Sequence, residues 1–308
     1  MKTAKISIII PVYNAEKTIC RMLNCLLAQS LSDFEILIVN DGSTDKTQQI
    51  IESYVLKDGR IHVFSQKNEG VAMARQIGMD KAQGEYCIYA DADDWVEPTM
   101  LEDLYNKAKQ DDADVVIADY FVNSKDSERI CRQQPSSLTP QDVLQDMFNN
   151  KLFGSLWHKL VRTELYRKYN AKFFAGINHC EDLLIWVQLL QHQEIRVSYL
   201  PKAYYHYVAN EASITKHFTR DTYDMRLRFQ EKLTTLLYKP ELEYLKEKAG
   251  FSIFTEGFIY DVLTKEEIGN GLKRYNKQIW QLKSLKWRVG FTMLKYDMPG
   301  IAHKLIHY

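Results

Sequence analysis

Three carboxylates fall within four residues of the chain, at Asp91, Asp93 and Asp94, directly after an apolar run at 86–90. The run predicts a buried strand, and residues that follow a strand lie at the carboxyl edge of the sheet, where open α/β folds bind ligands. Clustered carboxylate oxygens suit Mg²⁺ or Mn²⁺, and these ions favour phosphate oxygens as further partners. The acids therefore indicate a metal-assisted site for a nucleoside diphosphate. The alternative is an acidic loop that caps a helix beginning near Pro98.

A sheet that presents these acids is predicted by the N-terminal part of the chain, where strand-like and helix-like segments alternate. Strands are expected at 5–12, 34–40, 60–65, 86–90 and 114–122, and helices at 15–28, 46–56, 70–81 and 100–109. Asn14 and Asp45 are placed to cap the first two helices. The alternation predicts a mostly parallel sheet with helices on both faces.

The composition excludes several classes of protein. The 308 residues include 40 basic and 40 acidic side chains, so no overall charge points to nucleic acid as a partner. Five scattered cysteines, without a Cys-x-x-Cys pair, indicate a reducing compartment. No apolar run approaches the roughly 18 residues that a membrane span needs, and the start does not read as a signal peptide. We therefore expect a cytoplasmic protein of one or two domains.

The turn after the first strand argues against two common nucleotide-binding folds. A dinucleotide-binding domain needs Gly-x-Gly-x-x-Gly there, because the pyrophosphate approaches the backbone, whereas this turn reads Pro-Val-Tyr-Asn-Ala at 11–15. Asp41, after the second strand, stands where a ribose-binding acid would be, but the phosphate cradle is missing. The sequence also contains no Walker-type phosphate loop. A dehydrogenase or a P-loop ATPase is thus disfavoured.

Four blocks of sequence together resemble the signature of glycosyltransferase family 2. They are Ser7–Asn14, Ile38–Asp45, Asn68–Arg75 and Asp91–Asp94. The resemblance implies an α/β fold of the Rossmann-like GT-A type, with a mostly parallel sheet flanked by helices and a helical C-terminal extension. It also implies an inverting enzyme that moves a hexosyl or N-acetylhexosaminyl group from a nucleotide diphosphate donor, as in bacterial surface-polysaccharide synthesis. We expect a catalytic domain at 1–215 and a helical region at 216–308.

The same resemblance assigns the donor nucleotide to residues of these blocks and to Glu16, which lies two residues after the first block. They are Pro11, Val12, Tyr13, Glu16, Asp41, Asn68, Arg75, Asp91 and Ala92. The turn at Tyr13 would contact the nucleobase, and Glu16 the ribose. Asp41 would accept the ring N–H of uracil, which favours UDP and then dTDP, although Asp is also a common turn former. Asn68 and Arg75 lie two helical turns apart, so both should face the carboxyl edge of the sheet.

Arg75 and the acids are expected to meet the diphosphate and its metal ion. The guanidinium fork suits either the donor phosphate or the acids, unless it forms an ordinary surface ion pair. The resemblance assigns Asp91 to the ribose and the metal, and Asp93 to the metal itself, with Mg²⁺ or Mn²⁺ as the cofactor. Asp94 could contact the sugar or cap the next helix, and Trp95 is a further secondary candidate.

An acidic pair in the second half of the chain is the candidate catalytic base. Glu181 and Asp182 open an apolar helical segment, and they resemble the family's base motif. The resemblance makes Asp182 the residue that removes the acceptor proton and Glu181 its support, since inverting displacement needs one such carboxylate. The alternative is that both acids merely favour a helix N-terminus.

Two aromatic segments supply the remaining acceptor-side candidates. The segment at 154–160 resembles a Trp-Asn-Lys-Leu pattern of the family, with His158 in place of Asn. Trp157 and Lys159 could bind a sugar ring and a phosphate, although core packing explains Trp157 as well. His206, in a Tyr-rich segment, could reach the diphosphate or the metal, although such strands often simply pack.

The C-terminal segment differs in charge from the rest of the chain. From Leu272 onwards there are eight basic residues against Asp297 alone, a net charge of +7, interleaved with Trp and Phe. This composition is typical of a helix on an anionic membrane surface, which would make the protein peripheral on the inner face. Packing within the protein or a homodimer contact are the alternatives. A membrane contact would favour a lipid-linked saccharide over a free saccharide as the acceptor.

Two other functions are alternatives to a glycosyltransferase. A nucleotidyltransferase has a similar nucleotide domain, but it usually opens with a glycine-rich loop that the first turn here lacks. A nucleotide-sugar-binding scaffold or sensor would keep the donor fold without turnover. The presence of Asp91, Asp93 and Asp182 argues against a scaffold.

Overall fold

The computed structural model describes residues 4–209 and 218–296, together with positions 300, 302, 304 and 305. The chain forms two compact units, Met1–Ser213 and Ile214–Tyr308. Within these described stretches, no helix combines the length and the apolar character that a membrane crossing requires.

The first unit alternates strands and helices as the sequence predicts. Its strands are β1 (Ile6–Val12), β2 (Phe34–Asn40), β3 (Ile61–Ser65), β4 (Tyr86–Tyr89), β5 (Trp95–Val96), β6 (Val115–Asn123), β7 (Glu128–Cys131), β8 (Lys159–Arg162) and β9 (Val197–Val208). Its helices are α1 (Ile19–Leu27), α2 (Thr47–Val55), α3 (Val71–Lys81), α4 (Met100–Gln110), α5 (Pro140–Phe148), α6 (Glu164–Lys168) and α7 (Glu181–Leu190).

All the strands of this unit belong to one sheet, in the order β3-β2-β1-β4-β8-β6-β9-β5, with β7 beside β6. The first four strands of the order are parallel, and so is the pair β6–β9. The other pairings are antiparallel: β8 runs against both β4 and β6, β5 runs against β9, and β7 runs against β6. Every residue of β1 and β2 is buried, as expected when helices cover both faces of a sheet. The predicted GT-A type of α/β fold is confirmed.

The order of the parallel strands places a crevice at the end of β1. The chain moves from β1 to β2 and β3 on one side and then returns to β4 on the other, so the strand order reverses at β1. Ile9 pairs with Tyr89, which brings the turn after β1 beside the acids that follow β4. Open α/β sheets bind their ligands at such a switch point. The fold therefore places the predicted donor blocks at one edge.

Neither predicted residue is the N-cap of its helix, which is Thr18 for α1 and Lys46 for α2. α1 begins at Ile19 rather than Ala15, and Asn14 lies in the left-handed region with φ 48°. Asn14 does not cap α1, because its Oδ1 accepts the N–H of Thr44 at 2.8 Å. Asp45 does serve the start of α2, since its Oδ1 accepts the N–H of Thr47 at 2.9 Å. The reason for the difference is that the loops after β1 and β2 bind each other.

The second unit is helical, as predicted for the C-terminal extension. It contains α8 (Arg220–Leu236), a 3₁₀ turn (Pro240–Leu242), α9 (Tyr244–Ile259), α10 (Lys265–Arg274), α11 (Asn276–Gln281) and α12 (Leu285–Lys295). Phe254, Phe258 and Phe291 form the centre of its core, and Trp287 packs against them. Phe291 and Trp287 are thus turned towards the unit's own core and not towards a membrane. Trp280 and Leu285 remain exposed.

Candidate active site

The loops after β1 and β2 are joined by reciprocal bonds between side chains and backbone. Ser43 Oγ accepts the N–H of Asn14 at 3.0 Å, and Glu16 accepts the N–H of Lys46 at 3.0 Å. Pro11 and Val12 are buried beneath these loops, whereas half of the Tyr13 surface is exposed. The ring of Tyr13 is therefore free to stack on a ligand. The assignment of Glu16 to the ribose stays a prediction, with one of its oxygens committed to the loop.

Asp41 organises the loop that leads into α3. Its Oδ1 accepts Gln66 Nε2 at 2.6 Å and the N–H of Glu69 at 2.8 Å, and its Oδ2 accepts the N–H of Gly70 at 2.9 Å. Gly70 has φ +90°, and a Cβ there would lie 2.2 Å from Asn178, so only glycine fits. Each carboxylate oxygen can accept two bonds, so Oδ2 keeps one acceptor position on a residue that is 4% exposed, and the contact of Asp41 with a nucleobase stays a prediction.

Asn68 does not share a helix with Arg75. It is exposed in the loop before α3, which begins at Val71. The prediction that two helical turns relate these residues was therefore wrong, because the glycine at position 70 interrupts the helical backbone. A contact between Asn68 and the donor stays a prediction without that geometric support.

Arg75 connects the acid block with the acidic pair of the second half. Its guanidinium is buried and forms ion pairs with Asp91 at 2.9 Å, Glu181 at 2.5 Å and Asp182 at 2.6 Å. Burial opposes its charge, but Asp182, Asp91 and Glu181 outweigh that effect and raise the pKa of Arg75 above its ordinary value. One cation thus faces three carboxylates. The excess negative charge favours either a bound proton or a second cation at this place.

Glu181 and Asp182 form the first turn of α7. Burial raises the pKa of Glu181 to about 7, and the charge of Asp182 adds to the rise. Burial also raises the pKa of Asp182, although Arg75 opposes it. The second oxygen of Asp182, Oδ2, accepts the N–H of Leu156 at 3.2 Å. A carboxylate with a raised pKa is a stronger base, so the environment suits proton removal.

The residues predicted to hold the metal ion offer a suitable set of oxygens. Arg75 holds only Oδ1 of Asp91, and no other residue of the described stretches donates a hydrogen bond to the Asp93 carboxylate. Burial, and then the charge of Asp91, raises the pKa of Asp93. No cluster of three His, Cys, Asp or Glu ligands occurs in the part of the chain described. Two carboxylates are nevertheless sufficient for Mg²⁺, which takes its other ligands from water and phosphate.

Asp94 is a structural link between the acid block and β9. Both of its oxygens are engaged, Oδ1 by the N–H of Val208 and Oδ2 by the Tyr205 hydroxyl, each at 2.8 Å. The same hydroxyl accepts the N–H of Asp91 at 2.9 Å. Burial, with the charges of Asp91 and Asp93, raises the pKa of Asp94 to about 8. Asp94 is buried and α4 has no side-chain cap, so the predictions of a helix cap and of a sugar contact were both wrong.

The aromatic candidates pack in the interior. His206 is stacked between Trp95 and Phe121, with ring centroids 3.3 and 4.2 Å away. Its nitrogens lie 3.0 Å from oxygens of Asn123 and Glu97, so both are engaged away from Asp91 and Asp93. Trp157 is buried and stacks on Tyr205 at 4.3 Å. Core packing, the alternative given for both residues, is what their surroundings support.

Lys159 has no N–H available for a phosphate. Its ammonium is fully buried and bonds to the carbonyl oxygens of Phe153 and Ser155 and to His158 Nε2, at 2.7, 2.8 and 2.6 Å. The prediction that it binds a phosphate was therefore wrong. Sequence reasoning also missed the Leu156 N–H and the Tyr205 hydroxyl as groups that hold site residues. A backbone N–H carries no sequence signal, and Tyr205 was one tyrosine among several.

Known proteins resemble this chain over most of its length. The family described as "Glycosyl transferase family 2" matches residues 7–172. The putative glycosyltransferase EpsH of Bacillus subtilis is 30% identical over 262 residues, which cover 82% of this chain and 75% of that protein. The cholesterol galactosyltransferase of Borreliella burgdorferi is 39% identical over 181 residues, covering 54% of this chain and 51% of that protein.

A solved structure shares the fold. The crystal structure of S. aureus TarS 1-349 in complex with UDP-GlcNAc has a TM-score of 0.72 and 21% identity, over 98% of this chain and 90% of that chain. The likeness extends across nearly the whole sequence, whereas the family match is confined to its N-terminal part. Because that match still spans more than half of the residues, this chain belongs to glycosyltransferase family 2.

Proposed function

We propose that the protein is an inverting, metal-dependent glycosyltransferase that moves a sugar from UDP to a hydroxyl of a saccharide or a lipid-linked saccharide. The observation that carries the proposal is the ion-pair cluster at Arg75. One side chain joins Asp91, from the predicted donor block, to Asp182, the predicted base. Direct displacement requires the donor sugar and the acceptor hydroxyl to lie in contact with each other. A single side chain that contacts both acids places the two predicted binding regions next to each other.

The donor nucleotide would lie across the ends of β1 and β2. The exposed ring of Tyr13 offers a stacking surface for the base, and the open acceptor position of Asp41 suits a ring N–H of uracil. UDP is therefore favoured over other carriers, with dTDP second because it offers the same N–H. Arg75 Nε is buried without a hydrogen-bond partner among the described residues, and it would donate to a diphosphate oxygen.

Asp91 and Asp93 would hold Mg²⁺ or Mn²⁺ through their uncommitted oxygens. When bound, such an ion supplies positive charge that offsets the charge developing on the leaving diphosphate. The excess of negative charge around Arg75 supports a cation at this place. The hydrogen bonds that fix Asp91 and Asp94 to Tyr205 would hold the acid block in position.

Asp182 would act as the base. Its carboxylate would take the proton of the acceptor hydroxyl as that oxygen attacks the anomeric carbon from the side opposite the diphosphate, which inverts the configuration. Glu181 shares Arg75 with it and would help to fix the guanidinium. TarS, which binds UDP-GlcNAc, and the cholesterol galactosyltransferase support N-acetylhexosaminyl or hexosyl transfer.

A panel of nucleotide sugars tests this function. With Mn²⁺ present, release of UDP from one UDP-sugar should exceed the rate without enzyme and should stop on addition of EDTA. A scaffold or sensor would bind the nucleotide sugar without releasing UDP. A nucleotidyltransferase would instead exchange pyrophosphate into a nucleoside triphosphate, and either of these results would contradict the proposal.

We propose further that the second unit contacts an anionic membrane on the cytoplasmic side, which would give access to a lipid-linked acceptor. Between Ile268 and Tyr296 there are seven basic residues and no acidic residue. Trp280 and Leu285, on either side of the turn before α12, are 56% and 66% exposed. Exposed Trp and Leu among lysines are typical of an interfacial surface.

Flotation with vesicles separates this proposal from a homodimer contact. The full chain should float with vesicles that contain phosphatidylglycerol and much less with phosphatidylcholine alone. Replacing Trp280 and Leu285 by serine should abolish flotation, whereas the control Tyr238→Ser, at a residue 58% exposed elsewhere in the unit, should not. Membrane contact would be contradicted if the wild type did not float with vesicles, and if light scattering showed a wild-type dimer and a monomeric double variant.

A further inference from the structure

Lys159 is a buried side chain whose amine nitrogen bonds to one turn. Its three hydrogen bonds join it to the carbonyl oxygens of Phe153 and Ser155 and to the ring of His158. Burial lowers the pKa of Lys159 well below its ordinary value, and the charge of Asp182 only partly opposes this effect. A buried polar nitrogen is costly unless it is hydrogen-bonded, and its presence therefore calls for a role that an apolar side chain could not fill.

The turn at 153–156, held by Lys159, is bonded to α7 at two points. The N–H of Leu156 donates to Oδ2 of Asp182 at 3.2 Å, and Trp186 Nε1 donates to the carbonyl of Gly154 at 2.9 Å. Asp182 and Trp186 are four residues apart, so they lie on one face of the helix. The Lys159 ammonium is 5.3 Å from the centre of the Trp186 ring, within the range of a cation–π contact.

His158 also bonds to this turn and to Lys159. Its Nδ1 lies 2.9 Å from Ser155 Oγ, and its Nε2 lies 2.6 Å from the Lys159 ammonium. Both ring nitrogens are therefore engaged, one by Ser155 and the other by Lys159. Burial lowers the pKa of His158 well below its usual range, which keeps the ring neutral. The turn is thus held by Lys159 through the carbonyl groups of Phe153 and Ser155, and by His158 through the side chain of Ser155.

We propose that Lys159 is a positioning residue for Asp182. By holding the carbonyls of Phe153 and Ser155, it directs the N–H of Leu156 at Oδ2 of the carboxylate and so fixes the second oxygen of the base, while Arg75 fixes the first. The inference rests on the proposed function of Asp182. It assigns no contact with donor or acceptor to Lys159.

The test compares Lys159→Met with Lys172→Met, which removes an exposed ammonium between β8 and α7. UDP binding with Mn²⁺ is measured by calorimetry, and kcat is normalised to the binding stoichiometry, so that unfolded protein is not counted. Loss of a hydrogen bond to a charged group should lower kcat about tenfold or more in Lys159→Met. The donor KM and the UDP affinity should stay within about twofold in both variants, because the donor residues are untouched.

A second variant keeps the test decisive if Lys159→Met does not fold. Trp186→Phe retains an aromatic ring near the ammonium but removes the N–H that binds Gly154. We expect a selective fall of kcat, by about threefold to tenfold, with unchanged UDP affinity. Normal kcat in folded Lys159→Met, or in Trp186→Phe where the first does not fold, would overturn the proposal. An equal loss of UDP affinity and kcat would also overturn it.

Asp182→Asn, measured in parallel, separates this inference from the proposed function. If Asp182→Asn loses transfer while Lys159→Met keeps it, only the positioning role fails. If Asp182→Asn keeps transfer, the assignment of the base fails and the role of Lys159 fails with it.

Discussion

Replacing Arg75 by methionine should destabilise the first unit by an amount that depends on pH. The substitution leaves Asp91, Glu181 and Asp182 facing one another without the cation that joins them. Removing one partner of a buried ion pair typically costs about 3–5 kcal/mol. The Asp91 side chain is 28% exposed and partly screened by water, whereas those of Glu181 and Asp182 are 10% and 15% exposed. We therefore expect a loss of about 3 kcal/mol near pH 8.

The loss should shrink at lower pH, because the carboxylates can take up protons. Burial already raises the pKa of Glu181 from 4.5 to about 7 in the wild type, and that of Asp182 above 3.8. Groups with a raised folded pKa hold protons that the unfolded chain has lost, so they lower stability as the pH rises through that window. Without Arg75 both pKa values should rise further. At about pH 5 the acids would be protonated in the folded variant, and most of the penalty should vanish.

Urea denaturation of the wild type and Arg75→Met at the two pH values measures the difference. Arg167→Met is a matched control, since Arg167 donates to the carbonyl of Ala82 and not to a carboxylate. Its effect should be about 1 kcal/mol or less and independent of pH. A loss for Arg75→Met that is the same at both pH values would refute the account of the charge balance.

Three further predictions concern other parts of the chain. Gly70→Ala should lower stability by about 2 kcal/mol in the same denaturation assay, because φ is +90° and the new Cβ would meet Asn178; wild-type stability would contradict this. The hydrogen bonds from Arg220 lower the pKa of Glu267 to about 2, so Glu267→Gln should cost about 1 kcal/mol at neutral pH. That difference should disappear as the pH falls from about 4.5 towards 2, where the wild-type carboxylate becomes protonated, and a constant difference would argue against it. His206→Phe should leave the rate of sugar transfer within about threefold of the wild type, because the ring is stacked between aromatic neighbours. A complete loss of transfer would instead support His206 as a ligand of the diphosphate or the metal.

The sequence predicted the elements whose signals are local. The apolar runs that became β1, β2 and β4 are short and followed at once by turns, and β1 and β2 are also rich in branched residues. Because consecutive parallel strands end at one edge, the placement of Asp41 and Asp91 at that edge followed from the pattern and the family resemblance. The bounds of β2 matched the predicted 34–40.

The errors arose where distant segments meet. Asp94 is buried because Tyr205 and Val208 of β9, more than a hundred residues away, bind both of its oxygens. Lys159 is buried because the turn preceding β8 folds over its ammonium. Neither partner is marked in the local sequence, so polar residues beside a motif were interpreted as ligands. Asn14 was misassigned in the same way, since its partner belongs to the loop after β2.

We propose that the acids of this site divide between the two substrates, with Asp93 serving the donor and Asp182 the acceptor. Calorimetry of UDP binding with and without Mn²⁺, combined with transfer rates, tests this division in Asp93→Ala and Asp182→Asn. We predict that Asp182→Asn binds UDP and Mn²⁺ within about threefold of the wild type but transfers sugar at least about a hundredfold more slowly. Asp93→Ala should lose the gain in UDP affinity that Mn²⁺ provides. Near-normal transfer by Asp182→Asn, or an undiminished effect of Mn²⁺ in Asp93→Ala, would contradict the claim.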